Sequence, residues 1–295
     1  MQAAVLDETA SVGGARRALA AAFRNAGLES PELDARILVG FALGLDHTGL
    51  TVAAERRITP PEAQAIAALG QRRLARESIA VIVGYKEFWG LRFQVGPATL
   101  VPRPESETAV EAALRALDAQ GLRRSPLHIA DLGTGSGCLL LALLSELPNA
   151  RGIGIDISNP ALEIARANAR ALNFAHRTLF VRGNLSDTLA GGFDLIVSNP
   201  PYVATQAIAD LAPEVRHEPR SALDGGPDGL RAYRAIAADA ARVLRPGGVL
   251  VLEVGIGQAS PVAGLLSADG LAPEEPHPDL AGVARAIVAF RQPMR

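Results

Sequence analysis

Apolar positions along the first eighty residues recur at helical spacing only. In "GGARRALAAAFRNAG", Ala15, Leu19, Ala22, Phe23 and Ala26 fall on one stripe that stops at Gly27. "SPELDARILVGFALGL" starts with Ser30 as N-cap and Pro31 at the first helical position, and its stripe turns Leu33, Ile37, Leu38, Phe41 and Leu45 inward. "TPPEAQAIAALGQRRLAR" opens with a capping box, Thr59 to Glu62, and carries Ile66, Leu69 and Leu74 toward a core. Helices with one apolar face each predict a small bundle, assigned to residues 1–79.

The spacing changes over residues 80–102. β-Branched and aromatic residues punctuated by Gly84, Gly90 and Gly96 predict a hairpin connector between two domains. Pro102 and Pro104 then precede a helix whose stripe is Val110, Ala113, Leu114 and Leu117, ending at Gly121. From residue 127 short apolar runs, "LHIADLG", "RGIGIDI", "RTLFVRG", "FDLIVSN" and "GGVLVLEVG", alternate with amphipathic helical stretches. Continuous apolar strands between such helices predict a doubly wound α/β domain over 103–295, its mostly parallel sheet covered on both faces. "VARAIVAFR" alternates and is expected to close one edge of that sheet.

Composition narrows the function. The 295 residues carry 29 basic and 31 acidic side chains, net −2, so no global field draws the protein onto nucleic acid or an anionic membrane. The region before residue 80 is also balanced. Arg56-Arg57 and Arg72-Arg73 read as solvated helix faces, with contact to an acidic protein or RNA surface as the alternative. Cys138 is the only cysteine, which excludes an internal disulfide. No run has the pattern of a signal peptide or a membrane span. A soluble cytoplasmic protein is expected, and no metal ligand set is assigned.

Two motifs carry candidate chemistry. "ADLGTGSGCLLLALL" is a strand entering a helix through Gly133, Thr134, Gly135, Ser136 and Gly137, a loop that lets a ligand approach the backbone. Asp156 follows Gly137 by nineteen residues at the next strand end, where a carboxylate accepts from two ribose hydroxyls. A dinucleotide site uses similar geometry with G-x-G-x-x-G. Here the spacing is G-x-G-x-G, and Asp131 precedes it; a carboxylate there repels a diphosphate and suits the cationic amino-acid end of S-adenosylmethionine. Asn184, after the third strand, is either an acceptor for the adenine amine or a plain turn residue.

The second motif, "FDLIVSNPPYVA", ends a buried strand in Asn199, Pro200, Pro201 and Tyr202. An amide nitrogen is a poor nucleophile because its lone pair is delocalised. The Asn199 side-chain oxygen and the Pro200 carbonyl are two acceptors that can grip both amide hydrogens, and proline pre-organises them. Tyr202 offers an aromatic surface to the planar amide and to a sulfonium.

These residues resemble those of the release-factor glutamine N5-methyltransferases, the PrmC/HemK family. "FWGLRFQV", "LVPRPESE", "DLGTGSG", "IDIS", "IVSNPPY", "EPRSALDGGPDGLRAYR", "LRPGGVLVLEVG" and "DLAG" follow in the family's order over nearly the whole chain. The resemblance implies a class I S-adenosylmethionine-dependent methyltransferase fold, Rossmann-like, behind a helical domain that engages release factors. It implies transfer of a methyl group to the glutamine nitrogen of their Gly-Gly-Gln motif. Its cofactor loop falls on Gly133 to Gly137, its ribose-binding acid on Asp156, and its glutamine-binding tetrapeptide on Asn199 to Tyr202. Arg103 and Glu105 are placed as organisers of the site, or as simple helix-start residues. Asn184-Leu185 departs from the common Asp-Trp, so Leu185 packs where an indole would stack; Ser106 replaces the usual threonine. The alternatives are a glutamine methyltransferase for a ribosomal protein, an adenine-N6 DNA methyltransferase, disfavoured by the missing basic footprint, and a non-catalytic binder, disfavoured by the intact tetrapeptide.

Overall fold

The computed structural model describes residues 10–292; the first nine and last three residues of the two expected domains lie outside it. The chain divides into two compact units, Met1–Gly84 with Pro213–His217, and Tyr85–Ala212 with Glu218–Arg295.

Among the described residues the first unit holds five helices, α1 (Val12–Asn25), α2 (Pro31–Leu43), α3 (His47–Val52), α4 (Pro60–Leu74) and α5 (Ile79–Val83). Local signals start them as the sequence predicts: Ser11 caps α1, and Thr59 and Glu62 form a reciprocal capping box on α4. The α2 stripe differs from expectation. Pro31, Asp34, Ala35, Leu38 and Val39 face inward, while Leu33 and Phe41 are 44% and 46% exposed. The physical reason is Arg73 of α4. It is buried, and its Nε donates to Asp34 Oδ2 at 2.7 Å and its guanidinium to Glu214 Oε1 at 2.9 Å. A charged pair that satisfies itself occupies the inner face, so counting apolar residues alone misplaces the stripe. Arg73 is therefore no solvated face residue, whereas Arg56, Arg57 and Arg72 are exposed.

In the second unit the expected hairpin begins later. Residues 80–83 belong to α5, and β1 (Tyr85–Phe88) pairs antiparallel with β2 (Leu91–Gln94). Trp89 and Gly90, both at positive φ, make the two-residue turn. The strained tryptophan is tied down from both ends: its backbone N–H donates to Glu107 at 2.7 Å and its indole to Glu146 at 3.0 Å. Phe88 and Phe93 bury their rings in the main core of this unit.

The elements α6 (Glu107–Ala119), β3 (His128–Leu132), α7 (Cys138–Glu146), β4 (Arg151–Asp156), α8 (Asn159–Ala171), β5 (Thr178–Arg182), β6 (Phe193–Ser198), α9 (Arg220–Leu223), α10 (Arg231–Val243), β7 (Leu244–Glu253), α11 (Ala259–Ala268), β8 (Leu271–Pro273), β9 (His277–Pro278) and β10 (Ala284–Arg291) complete the fold. The sheet runs β5-β4-β3-β6-β7-β10-β8, with the first five strands parallel and β10 antiparallel to β7. Two apolar layers sandwich it, one built around α6, α7 and α8 and the other around α10 and α11. This is a Rossmann-like, doubly wound architecture. The tail strand does not close an edge. β10 lies between β7 and β8, and its residues Ala286 to Ala289 are buried on both faces; the three-residue β8 is too short to register as a strand in the sequence.

Strand order reverses between β3 and β6, and their carboxyl ends open the crevice in which such sheets bind ligands. Among the described residues no helix is long and apolar enough to cross a membrane.

Candidate active site

The glycine loop follows β3. Gly133, Gly135 and Gly137 take φ of +73°, +54° and +82°, a backbone that side chains disfavour. Gly133 and Thr134 both donate to the Ile155 carbonyl, at 2.9 and 2.8 Å, which anchors the loop to β4. Asp156, at the end of β4, accepts from Gly135 N at 2.9 Å through Oδ2 and from Ser158 N at 2.9 Å through Oδ1. Each oxygen keeps a lone pair for a further donor.

A cavity of about 320 Å³ opens over this loop, within the size range of small-molecule sites. Gly133, Thr134, Gly135, Ser136 and Asp156 line it, together with Arg103, Asn184, Leu185, Asn199 and Pro201. Three stretches distant in sequence thus reach one space. Leu185 sits at φ +49°, an uncommon backbone for leucine, with its side chain partly packed on the core. Gly137, Pro200 and Tyr202 are chain neighbours of residues on the wall, and Asp131 is hydrogen-bonded to Thr134 on it. Glu105 is exposed and faces a separate groove with Trp89 and Arg115.

Asp131 is buried beneath the loop. Its Oδ2 accepts from Thr134 Oγ1 at 2.6 Å, and its Oδ1 is buried without a partner. Burial pushes its carboxyl up to about 7, with a smaller push from Asp156, while the Thr134 hydroxyl and the Leu140 backbone pull it down. A buried carboxylate oxygen with nothing bonded to it is a seat for a cation. With Asp156 able to accept further donors and Leu185 giving the wall an apolar patch, the residues present fit S-adenosylmethionine.

β6 delivers Asn199. Ser198 Oγ donates to the Leu132 carbonyl at 2.5 Å, pinning β6 to β3 where both strands end. Asn199 Nδ2 lies 3.4 Å from Ser106 Oγ. The backbone after the tetrapeptide is held by groups the sequence reading left without a role. Gln258 Nε2 donates to the Tyr202 carbonyl at 3.0 Å, Val203 N to Leu223, and Gly225 N to the Val203 carbonyl. A methyl group on Gly229 would stand 2.4 Å from the Tyr202 carbonyl oxygen. The only sequence signal for this support was the glycine-rich "DGGPDG".

Arg103 donates to Glu218 Oε1 at 2.6 Å. Burial raises the Glu218 carboxyl above its ordinary value, against the Arg103 charge, and its Oε2 has no partner. Arg103 thereby clamps the segment ahead of α6 to the one ahead of α9, both on the cavity rim.

Residues 14–84 match the PrmC N-terminal domain and residues 106–227 the methyltransferase small domain. A crystal structure of a methyltransferase from Pyrococcus furiosus, 18% identical, aligns with a TM-score of 0.51 over 75% of this chain and 97% of that one, in keeping with the fold. A release factor glutamine methyltransferase from Bradyrhizobium diazoefficiens is 52% identical over 285 residues, 96% of each chain. One from Rhodospirillum rubrum is 50% identical over 268 residues, 90% of this chain and 81% of that one. With the glycine loop, Asp156 and Asn199 gathered on one cavity, the chain belongs to the release factor glutamine methyltransferase family.

Proposed function

We propose that this protein is a cytoplasmic enzyme that transfers a methyl group from S-adenosylmethionine to the side-chain nitrogen of the glutamine in the Gly-Gly-Gln motif of peptide-chain release factors. The observation that carries this is the opening of Asn199 onto the same cavity as the glycine loop and Asp156. S-adenosylmethionine supplies an electrophilic methyl group on a sulfonium. Gly133 to Gly137 and Asp156 hold its nucleoside, Asp131 takes the ammonium end, and Asn184 with Leu185 borders the base.

Asn199 Oδ1 and the Pro200 carbonyl each accept one hydrogen of the substrate amide, so its lone pair turns toward the methyl donor. Tyr202 stays a neutral phenol, because burial pushes its hydroxyl up to about 12. It backs the tetrapeptide as apolar surface rather than as a base. The new N–C bond forms as the S–C bond breaks; the amide nitrogen then loses one proton to solvent, leaving N-methylglutamine and S-adenosylhomocysteine. Catalysis on this reading is positioning, which does not require a strong base.

Methyl-labelled S-adenosylmethionine tests it. Label is expected on a release factor and not on a variant with the motif glutamine replaced. Equal labelling of both proteins refutes the assignment, and labelling of a ribosomal protein alone redirects the substrate. Asn199→Ala should lose transfer by at least a hundredfold while keeping cofactor affinity within about twofold, the scale expected when a positioned polar group is removed.

A further inference from the structure

The Asn199 carboxamide can face the cavity with its oxygen or its nitrogen, two orientations of nearly equal shape. Only the first accepts from a substrate amide. Its neighbour is Ser106, buried on the turn Pro104–Ser106 at the cavity's edge, with Oγ 3.4 Å from Asn199 Nδ2. A hydroxyl both donates and accepts, so Ser106 alone would satisfy either end of the amide.

Glu253 removes that ambiguity. Ser198 of β6 is in register with Leu252 of β7, so Asn199 and Glu253 are the next residues along two adjacent parallel strands. Glu253 is 2% exposed, and its Oε2 is buried with no partner. The Ser106 and Tyr202 hydroxyls stand near enough to pull its carboxyl down, and Tyr233 Oη donates to its backbone carbonyl at 2.9 Å, fixing the strand end. An ionised carboxylate only accepts. With the Ser106 proton turned to Glu253, Ser106 presents only a lone pair to Asn199; Nδ2 must turn to Ser106 and Oδ1 is left for a substrate donor.

We propose that Glu253 is a positioning residue that acts through the Ser106 hydroxyl to hold the Asn199 carboxamide with its oxygen toward the substrate. This rests on the methyl-transfer reading above. Burial pushes the Glu253 carboxyl up to about 7; the Ser106 hydroxyl, the Arg285 charge and the Tyr202 hydroxyl pull it down, and Glu105 pushes it up. Cys138 and Tyr233 also face it, both with their own protons held firmly by burial. Below about pH 7 Glu253 gains a proton and can itself donate to Ser106, which reverses the chain of donors and frees the wrong orientation of Asn199.

The test uses the full-length protein, a release factor and saturating S-adenosylmethionine. Ser106→Ala and Glu253→Gln are each expected to lower kcat about tenfold with cofactor affinity and melting temperature little changed. Ser106→Thr keeps the hydroxyl and should retain most activity. The double variant should be no worse than the poorer single one, since both act on one chain of bonds. The wild-type rise in kcat through about pH 7 should be absent in Glu253→Gln. Multiplying losses in the double variant, or a Glu253→Gln enzyme with wild-type kcat and pH profile, would overturn the proposal. A readout without substrate separates it from the activity: the Asn199 side-chain N–H pair, assigned by NMR from its loss in Asn199→Asp, should be protected from exchange in the wild type and exposed in Ser106→Ala and Glu253→Gln. Equal protection in all three would sink the mechanism whatever the enzyme methylates.

Discussion

Cofactor affinity should depend on pH through one buried carboxyl group. Asp131 is held at about 7 because burial disfavours its charge, and its unpartnered Oδ1 is the atom proposed to meet the cofactor's ammonium group. If the ammonium end of S-adenosylmethionine binds the ionised form, the cofactor must first remove the proton. At pH 7 about half the molecules carry the charge; at pH 6 about one in eleven does. The apparent affinity should therefore fall about fivefold over that unit, about 1 kcal/mol, and binding should release about 0.9 proton at pH 6 against about 0.5 at pH 7. The window lies below the ordinary range of an α-amino group, about 7.7–8.0, so the ligand keeps its own charge throughout. Titration calorimetry in two buffers of different ionisation enthalpy measures both quantities. Asp131→Asn should bind weakly at each pH, with no proton release and a flat pH dependence. A wild-type Kd that is constant from pH 6 to 7, or proton release that survives in Asp131→Asn, would refute the coupling.

Other outcomes follow from the same geometry. Asp131 and Glu253 both have folded pKa values raised to about 7, so the native state binds these protons more tightly than the unfolded chain; the cofactor-free protein should lose stability as pH rises from about 4 to about 7 and level off above, with Asp131→Asn flattening the thermal-shift curve. Gly229→Ala adds a methyl group 2.4 Å from the Tyr202 carbonyl at φ +75°, and should reduce transfer at least tenfold while leaving cofactor affinity, read by calorimetry, nearly intact. Asp34→Ala leaves the Arg73 guanidinium buried without its nearest partner and should destabilise the helical unit by about 3–5 kcal/mol, seen as faster hydrogen exchange in α2 and α4; wild-type exchange there would show that the pair contributes little.

Much of this protein was legible locally. The Thr59 to Glu62 capping box forms as read because its bonds span three residues. The parallel strands stood out as apolar runs, most clearly the inner β3, β6 and β7, which are covered on both faces, and the glycine loop and the tetrapeptide announced themselves at strand ends, where open sheets place ligands. What failed were statements that depend on a distant partner. Leu33 and Phe41 were read inward, yet Asp34 turns in because Arg73, 39 residues on, meets it. β10 looked like an edge because β8 has only three residues.

The amino-acid sequence alone determined most of the helices, the five parallel strands, the sheet type and where the two candidate motifs lie, since each rests on periodicity or on backbone restriction within a few residues. Only the tertiary structure decided that Asp131 stands beneath the loop with a bare oxygen, that Arg103 answers Glu218 while Glu105 faces elsewhere, and that Glu253 and Ser106 stand behind Asn199. Those groups are joined by burial and by strand register, and a pKa or an amide orientation follows from everything packed around the group, which no local stretch of sequence contains.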